Sequence, residues 1–116
     1  MVPGPLALNW RGGRLLPRIE TGELAAHNPV TARRVNLWLE AAPSIGVDVF
    51  IKLYAHGARE DNAAALLGRD LDFALSTLRR ACQERHAELH FVSAWQMREA
   101  IEAVRCNLNP VEAIAA

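Results

Sequence analysis

Apolar side chains recur along this chain at two spacings, one of about 3.6 residues and one nearly continuous. The helical spacing marks three main segments. Val35, Leu37, Trp38, Leu39, Ala41 and Ala42 make one apolar face, with Thr31 as its N-cap and Pro43 as its stop. Leu71, Phe73, Ala74, Leu75, Leu78, Ala81 and Cys82 predict a longer amphipathic helix over residues 70–86. Trp95, Met97, Ala100, Ile101 and Val104 predict another, capped by Ser93. Residues 63–67 read as a short apolar helix that Gly68 breaks or kinks, and residues 107–116 as a tail that frays after Asn107.

The second rhythm is that of strands. From Val49 to Tyr54 five of six side chains are apolar or aromatic, the pattern of a strand covered on both faces. Residues 6–10 predict a short strand ended by a turn at 11–14. Residues 15–19 predict an extended piece that Pro17 keeps at a sheet margin, with a turn at 20–23. Residues 89–92 predict a third strand. Strands alternating with helices imply an α/β fold with short parallel strands and right-handed crossovers. A sheet of two or three strands has open edges, which invite self-association or a partner chain.

At 116 residues the chain is read as a single α/β domain, or a piece of a larger one, and its 51% hydrophobic content fits a globular core. Thirteen basic residues balance thirteen acidic ones, without the basic excess of a nucleic-acid binder. Arg33-Arg34 and Arg79-Arg80 read as helix-surface charge. No apolar run of about 18 residues predicts a membrane span, and the N-terminus lacks a signal peptide's charged and apolar regions. Cys82 and Cys106 form no paired metal motif and read as free thiols. The expectation is a cytoplasmic protein with neither nucleic acid nor membrane as a partner.

The strand over residues 49–54 leads directly to His56 and Gly57. Gly57 permits a sharp turn, and the carboxyl ends of strands are where α/β proteins collect functional groups. His56 is therefore the candidate catalytic residue, with a simple loop role as its alternative. His27, His86 and His90 are scattered, with no spacing that suits one metal, so no metal ligand is assigned. Neither GxGxxG nor GxxxxGK occurs, which leaves a phosphate site after Gly57 as the weakest reading.

Four segments together carry a resemblance. They are Gly4 to Arg11 with Leu16 to Glu20; Ala26 to Pro29; Val49 to Ala58; and Leu89 to Met97. In order and spacing the set resembles the C-terminal portion of bacterial polysaccharide deacetylases, the carbohydrate esterases, where comparable stretches read VFVKLHTHGA and LHYVTAREM. The resemblance spans residues 4–103. It implies the last strands and helices of a distorted (β/α) barrel and metal-dependent removal of an acetyl group from an N-acetylated sugar. In such chemistry a metal polarises the carbonyl and activates water, an aspartate takes a proton, and a late histidine protonates the leaving amine.

By the same resemblance His56 is the candidate general acid. Trp10, Arg11, Arg18, Glu20, His27 and Tyr54 are candidate substrate contacts at a sugar-facing rim. Bland alternatives stand beside them: core packing for Trp10, a surface ion pair for Arg18 with Glu20. Tyr54 stands where relatives often carry a histidine, and a phenol is a poor acid near neutrality. The aspartate pair and the His-x-x-x-His segment do not occur. No cofactor is therefore expected in this chain; a divalent metal such as zinc belongs to an intact relative. Two functional expectations follow. The chain is a C-terminal fragment of a deacetylase-like protein, silent alone and with a glycan as possible ligand; or it is a non-catalytic interaction module that homodimerises or completes its sheet with a partner chain.

Overall fold

The computed structural model describes residues 2–10, 15–57 and 59–115. The N-terminal hairpin pairs β1 (Leu6–Asn9) with β2 (Arg18–Thr21), antiparallel, with Leu8 opposite Ile19 and Ala7 opposite Glu20. Helix α1 (Ala32–Ala41) follows, and the Thr31 hydroxyl accepts from the Arg34 N–H as its N-cap. A second hairpin joins β3 (Ser44–Ile45) to β4 (Asp48–Val49). Its two-residue turn begins at Gly46, whose φ of 60° a side chain would strain. A single 3₁₀ turn (Glu60–Asn62) leads to α2 (Ala63–Leu67), α3 (Arg69–Glu84), α4 (Ala94–Arg105) and α5 (Pro110–Ala115).

The expected parallel sheet does not form, and the structure is not part of a (β/α) barrel. Both sheets among the described residues are two-stranded antiparallel hairpins. A hairpin closes through its own turn, whereas parallel strands need a crossover to a neighbouring strand. The central stretch meets such a neighbour at one point, an isolated parallel bridge between Glu23 and Tyr54. Leu24 N–H donates to the Tyr54 carbonyl and Tyr54 N–H to the Gly22 carbonyl, at 2.8 and 3.0 Å. Beyond β4 the chain forms no further strand; Ile51 and Leu53 pack against the core while Lys52 between them is exposed, so the stretch is covered on one side only. Residues 89–92 are a loop rather than a strand.

The helices follow the apolar spacing closely. Val35 and Trp38 of α1 pack against Leu78, Ala81 and Cys82 of α3, and Leu24, Val30, Ile51, Leu53 and Leu89 close around them. Gly68 separates α2 from α3 in an extended conformation; a Cβ there would lie 2.7 Å from the Ala64 carbonyl oxygen. Ser93 and Gln96 form a reciprocal capping box at the start of α4. The tail, expected to fray, continues as α5, and Gln96 Nε2 donates to the Ile114 carbonyl at 3.0 Å. Cys82 is buried and Cys106 exposed, both as free thiols.

This core is small for the chain. A folded monomer of 12.8 kDa exposes about 6,300 Å² by the usual size scaling, and this one exposes 8015 Å². Its radius of gyration, 15.1 Å, likewise exceeds the roughly 13 Å of a compact domain this long. No helix among the described residues is long and apolar enough to cross a membrane.

Candidate functional site

The first hairpin is turned inside out. Side chains alternate across a strand, so Asn9 and Glu20 share one face while Leu6, Leu8 and, across from Leu8, Ile19 share the other. The polar face is the buried one. Asn9 is 2% exposed and Glu20 1%, against 58% for Leu8 and 62% for Ile19.

The reason lies in α1. Arg34, one turn along the helix from Trp38, points under the hairpin and is itself 1% exposed. Its Nε donates to Glu20 Oε1 at 2.8 Å, and its terminal nitrogens donate to the carbonyls of Thr21, Glu23 and Asn28. Trp38 Nε1 donates to Glu20 Oε1 and to the Thr21 carbonyl, at 3.2 and 3.0 Å. Asn9 Nδ2 donates to Glu20 Oε2, and Arg33 Nε donates to Asn9 Oδ1. No buried side-chain polar atom among the described residues lacks a partner. A buried ion pair is tolerable only when its remaining hydrogen-bonding capacity is met in this way. The guanidinium also lies 5.1 Å from the Trp38 ring centroid.

This hub fixes the segment 20–28, and the segment carries a second, exposed cluster. His27 Nε2 lies 3.6 Å from Glu23 Oε2, and His56 Nε2 lies 3.9 Å from Glu23 Oε1. Tyr54 stands edge-on to the His56 ring, centroids 6.1 Å apart, and donates from its hydroxyl to Thr21 Oγ1. Asn62 ties the two loops together, accepting from the Ala26 N–H and donating to the His56 carbonyl. Nearby, the hydrogen bond from Arg59 holds the Asp61 carboxyl below the usual carboxylate range, with further help from the charges of Arg59 and His27. The same bond raises the Arg59 guanidinium.

Three of the sequence-predicted site residues, His27, Tyr54 and His56, therefore meet around Glu23. Trp10 and Arg18 do not join them; both are exposed on the hairpin. Glu20 is buried, and its carboxylate is occupied by Arg34, Asn9 and Trp38. Arg11 lies outside the described residues, as does the turn expected at 11–14. Gly57 turns without a left-handed φ, so its glycine freedom is not used. Arg34, read from sequence as helix-surface charge, is instead the centre of the hub. Its position on the Val35–Trp38 side of α1 was the available signal.

Glu23 flanked by two imidazoles offers hydrogen-bonding groups at the surface to a polar ligand. It does not fit the metal centre that the resemblance implies. Among the described residues no three His, Cys, Asp or Glu side chains are placed to share one ion. A void of about 10 Å³ between Leu24, Val30, Ala65, Leu71 and Ala74 has room for at most one water. No protein-family model, curated protein or solved structure matches the chain.

Proposed function

We propose that this chain is a non-catalytic interaction module that docks another polypeptide through the outer face of the β1–β2 hairpin. One observation carries the reading: the hairpin buries Asn9 and Glu20 and leaves Leu6, Leu8, Trp10 and Ile19 in solvent. A contiguous apolar face of this kind on a folded protein marks an interaction surface. The excess of exposed surface over a compact monomer supports it. The two free thiols fit a reducing compartment, so the module is taken to work in the cytoplasm.

The test is the stability of Leu8→Ser and Ile19→Ser in dilute solution. Side chains that serve a partner contribute little to the isolated fold, so each variant should stay within about 0.5 kcal/mol of the parent, with reduced binding of an apolar dye. A loss above about 2 kcal/mol would mean that the chain's own fold already covers this face, and the reading would fail.

A second reading keeps glycan chemistry and rests on the gathering of His27, Tyr54 and His56 around Glu23. In it the chain belongs with the carbohydrate deacetylases it resembles. His56 serves as general acid with the Glu23 carboxylate nearby, and Tyr54 and His27 contact an N-acetylated sugar. Such a chain is expected to be silent alone. Release of acetate from N-acetylated oligosaccharide with added zinc would contradict that silence. Loss of glycan binding in a His56→Ala variant is the supporting result.

A further inference from the structure

We propose that the occupant of the outer hairpin face is a second copy of this chain, stacked face to face about a two-fold axis. The inference rests on the module reading above and names its partner.

The face is apolar and uncharged. Leu6, Leu8 and Trp10 succeed one another at every second position of the first strand and the residue after it, and Ile19 lies opposite Leu8. Thr21, opposite Leu6, is the polar margin, and its hydroxyl is already engaged by Tyr54. Nothing within this stripe demands an opposite charge from its partner, and nothing in it repels a copy of itself. The chain as a whole carries thirteen basic and thirteen acidic residues, so two copies approach without net repulsion.

The area suits a small dimer interface. Leu6, Leu8, Trp10 and Ile19 are 68, 58, 51 and 62% exposed. Together they present on the order of 500 Å² of apolar surface, so two copies would bury about 1,000 Å², the lower end of specific interfaces. The surplus of total surface over a compact 12.8 kDa monomer, about 1,700 Å², is large enough to contain it.

Geometry completes the case. A two-stranded apolar stripe can complement a copy of itself, because a two-fold rotation sets its leucine and isoleucine side chains against apolar residues of the copy. Sheets stack face to face at about 10 Å, a distance that two rows of Leu, Ile and Trp fill. The hairpin already packs its polar face on α1, and the stack would cover the other face.

Sedimentation of the full chain from about 1 to about 100 μM tests the proposal. The expected result is a species of twice the 12.8 kDa chain mass. Leu8→Glu and Leu8→Lys each place like charges across the two-fold axis and should each sediment as monomers. An equimolar mixture of the two should recover the dimer, because the opposite charges then face one another. Circular dichroism of each variant checks that the exposed substitution leaves the helices intact. A parent chain that stays monomeric throughout overturns the proposal, as does a dimer that survives both substitutions. Either result is separable from failure of the module reading, which is judged on the stability of the serine variants.

Discussion

Arg34 and Glu20 form an ion pair at 2.8 Å in which each side chain is 1% exposed. It joins the middle of the first hairpin to the core face of α1, and the same guanidinium holds three backbone carbonyls of the segment that carries Glu23 and His27. Removing one partner leaves an uncompensated buried charge. Arg34→Met and Glu20→Leu should each lower unfolding free energy by about 3–5 kcal/mol. The double variant should cost less than the two losses combined, because neither charge is then stranded. Urea denaturation of the three variants decides it. Single losses below about 1 kcal/mol would show that the hub is dispensable.

Gly22 lets the hub reach the exposed cluster. A Cβ there would lie 2.6 Å from the Lys52 carbonyl oxygen and 3.2 Å from Pro5 Cδ. That close approach is what allows Tyr54 N–H to reach the Gly22 carbonyl and sets His56 beside Glu23. Gly22→Ala should cost about 1–3 kcal/mol by overpacking. It should also disturb the resonances of Tyr54 and His56 more than those of α4. An unshifted Tyr54 amide would mean that the two segments are not held by this contact.

Helices α1 to α4 were largely legible because each is marked locally, whereas α5 falls in the stretch expected to fray. Thr31, Gly68 and Ser93 stand at boundaries that the structure uses, and the Val35–Trp38 and Leu78–Cys82 faces are the ones that pack together. The sheet was not legible, because pairing is a long-range choice. Residues 49–54 have the composition of a buried strand, yet a strand needs neighbours, and among the described residues this stretch finds them only at its ends, Ser44 beside Val49 and Glu23 beside Tyr54. The meeting of His27, Tyr54 and His56 at Glu23 was equally hidden. It depends on Asn62 and Gly22 joining loops some thirty residues apart in the chain. Arg34 misled for a simpler reason: one of two adjacent arginines faces solvent while the next, about 100° around the helix, faces the core.

The end of α3 holds a residue in a backbone conformation that it does not favour. His86 has φ 55°, with its N–H bonded to the Gln83 carbonyl and the Ala87 N–H to the Cys82 carbonyl, the hydrogen bonds of a Schellman turn. Glycine adopts this conformation without the Cβ penalty. His86→Gly should therefore raise stability by up to about 1 kcal/mol. The matching change Asn107→Gly, after α4, should gain less, since asparagine tolerates this region better. Thermal melts of both variants test the ranking; destabilisation by His86→Gly would mean that its side chain makes a contact worth more than the strain.

The two thiols should differ sharply in reactivity. Burial against α1 pushes the Cys82 thiol above its usual pKa, the neighbouring Arg85 charge only partly opposing the shift, while Cys106 is exposed after α4. At pH 8 a thiol reagent should modify Cys106 rapidly and Cys82 only as the chain opens, with a second equivalent released in denaturant. The raised pKa also has a stability consequence of fixed sign. The folded state favours the protonated thiol, so its contribution is fully present below the unfolded value of about 8.5 and is lost as pH rises toward the folded pKa. The stability difference between the parent and Cys82→Ala should therefore narrow from pH 7 to pH 10. Two equally fast thiols in the native protein, or a difference that widens with pH, would show that Cys82 is not sealed between α1 and α3.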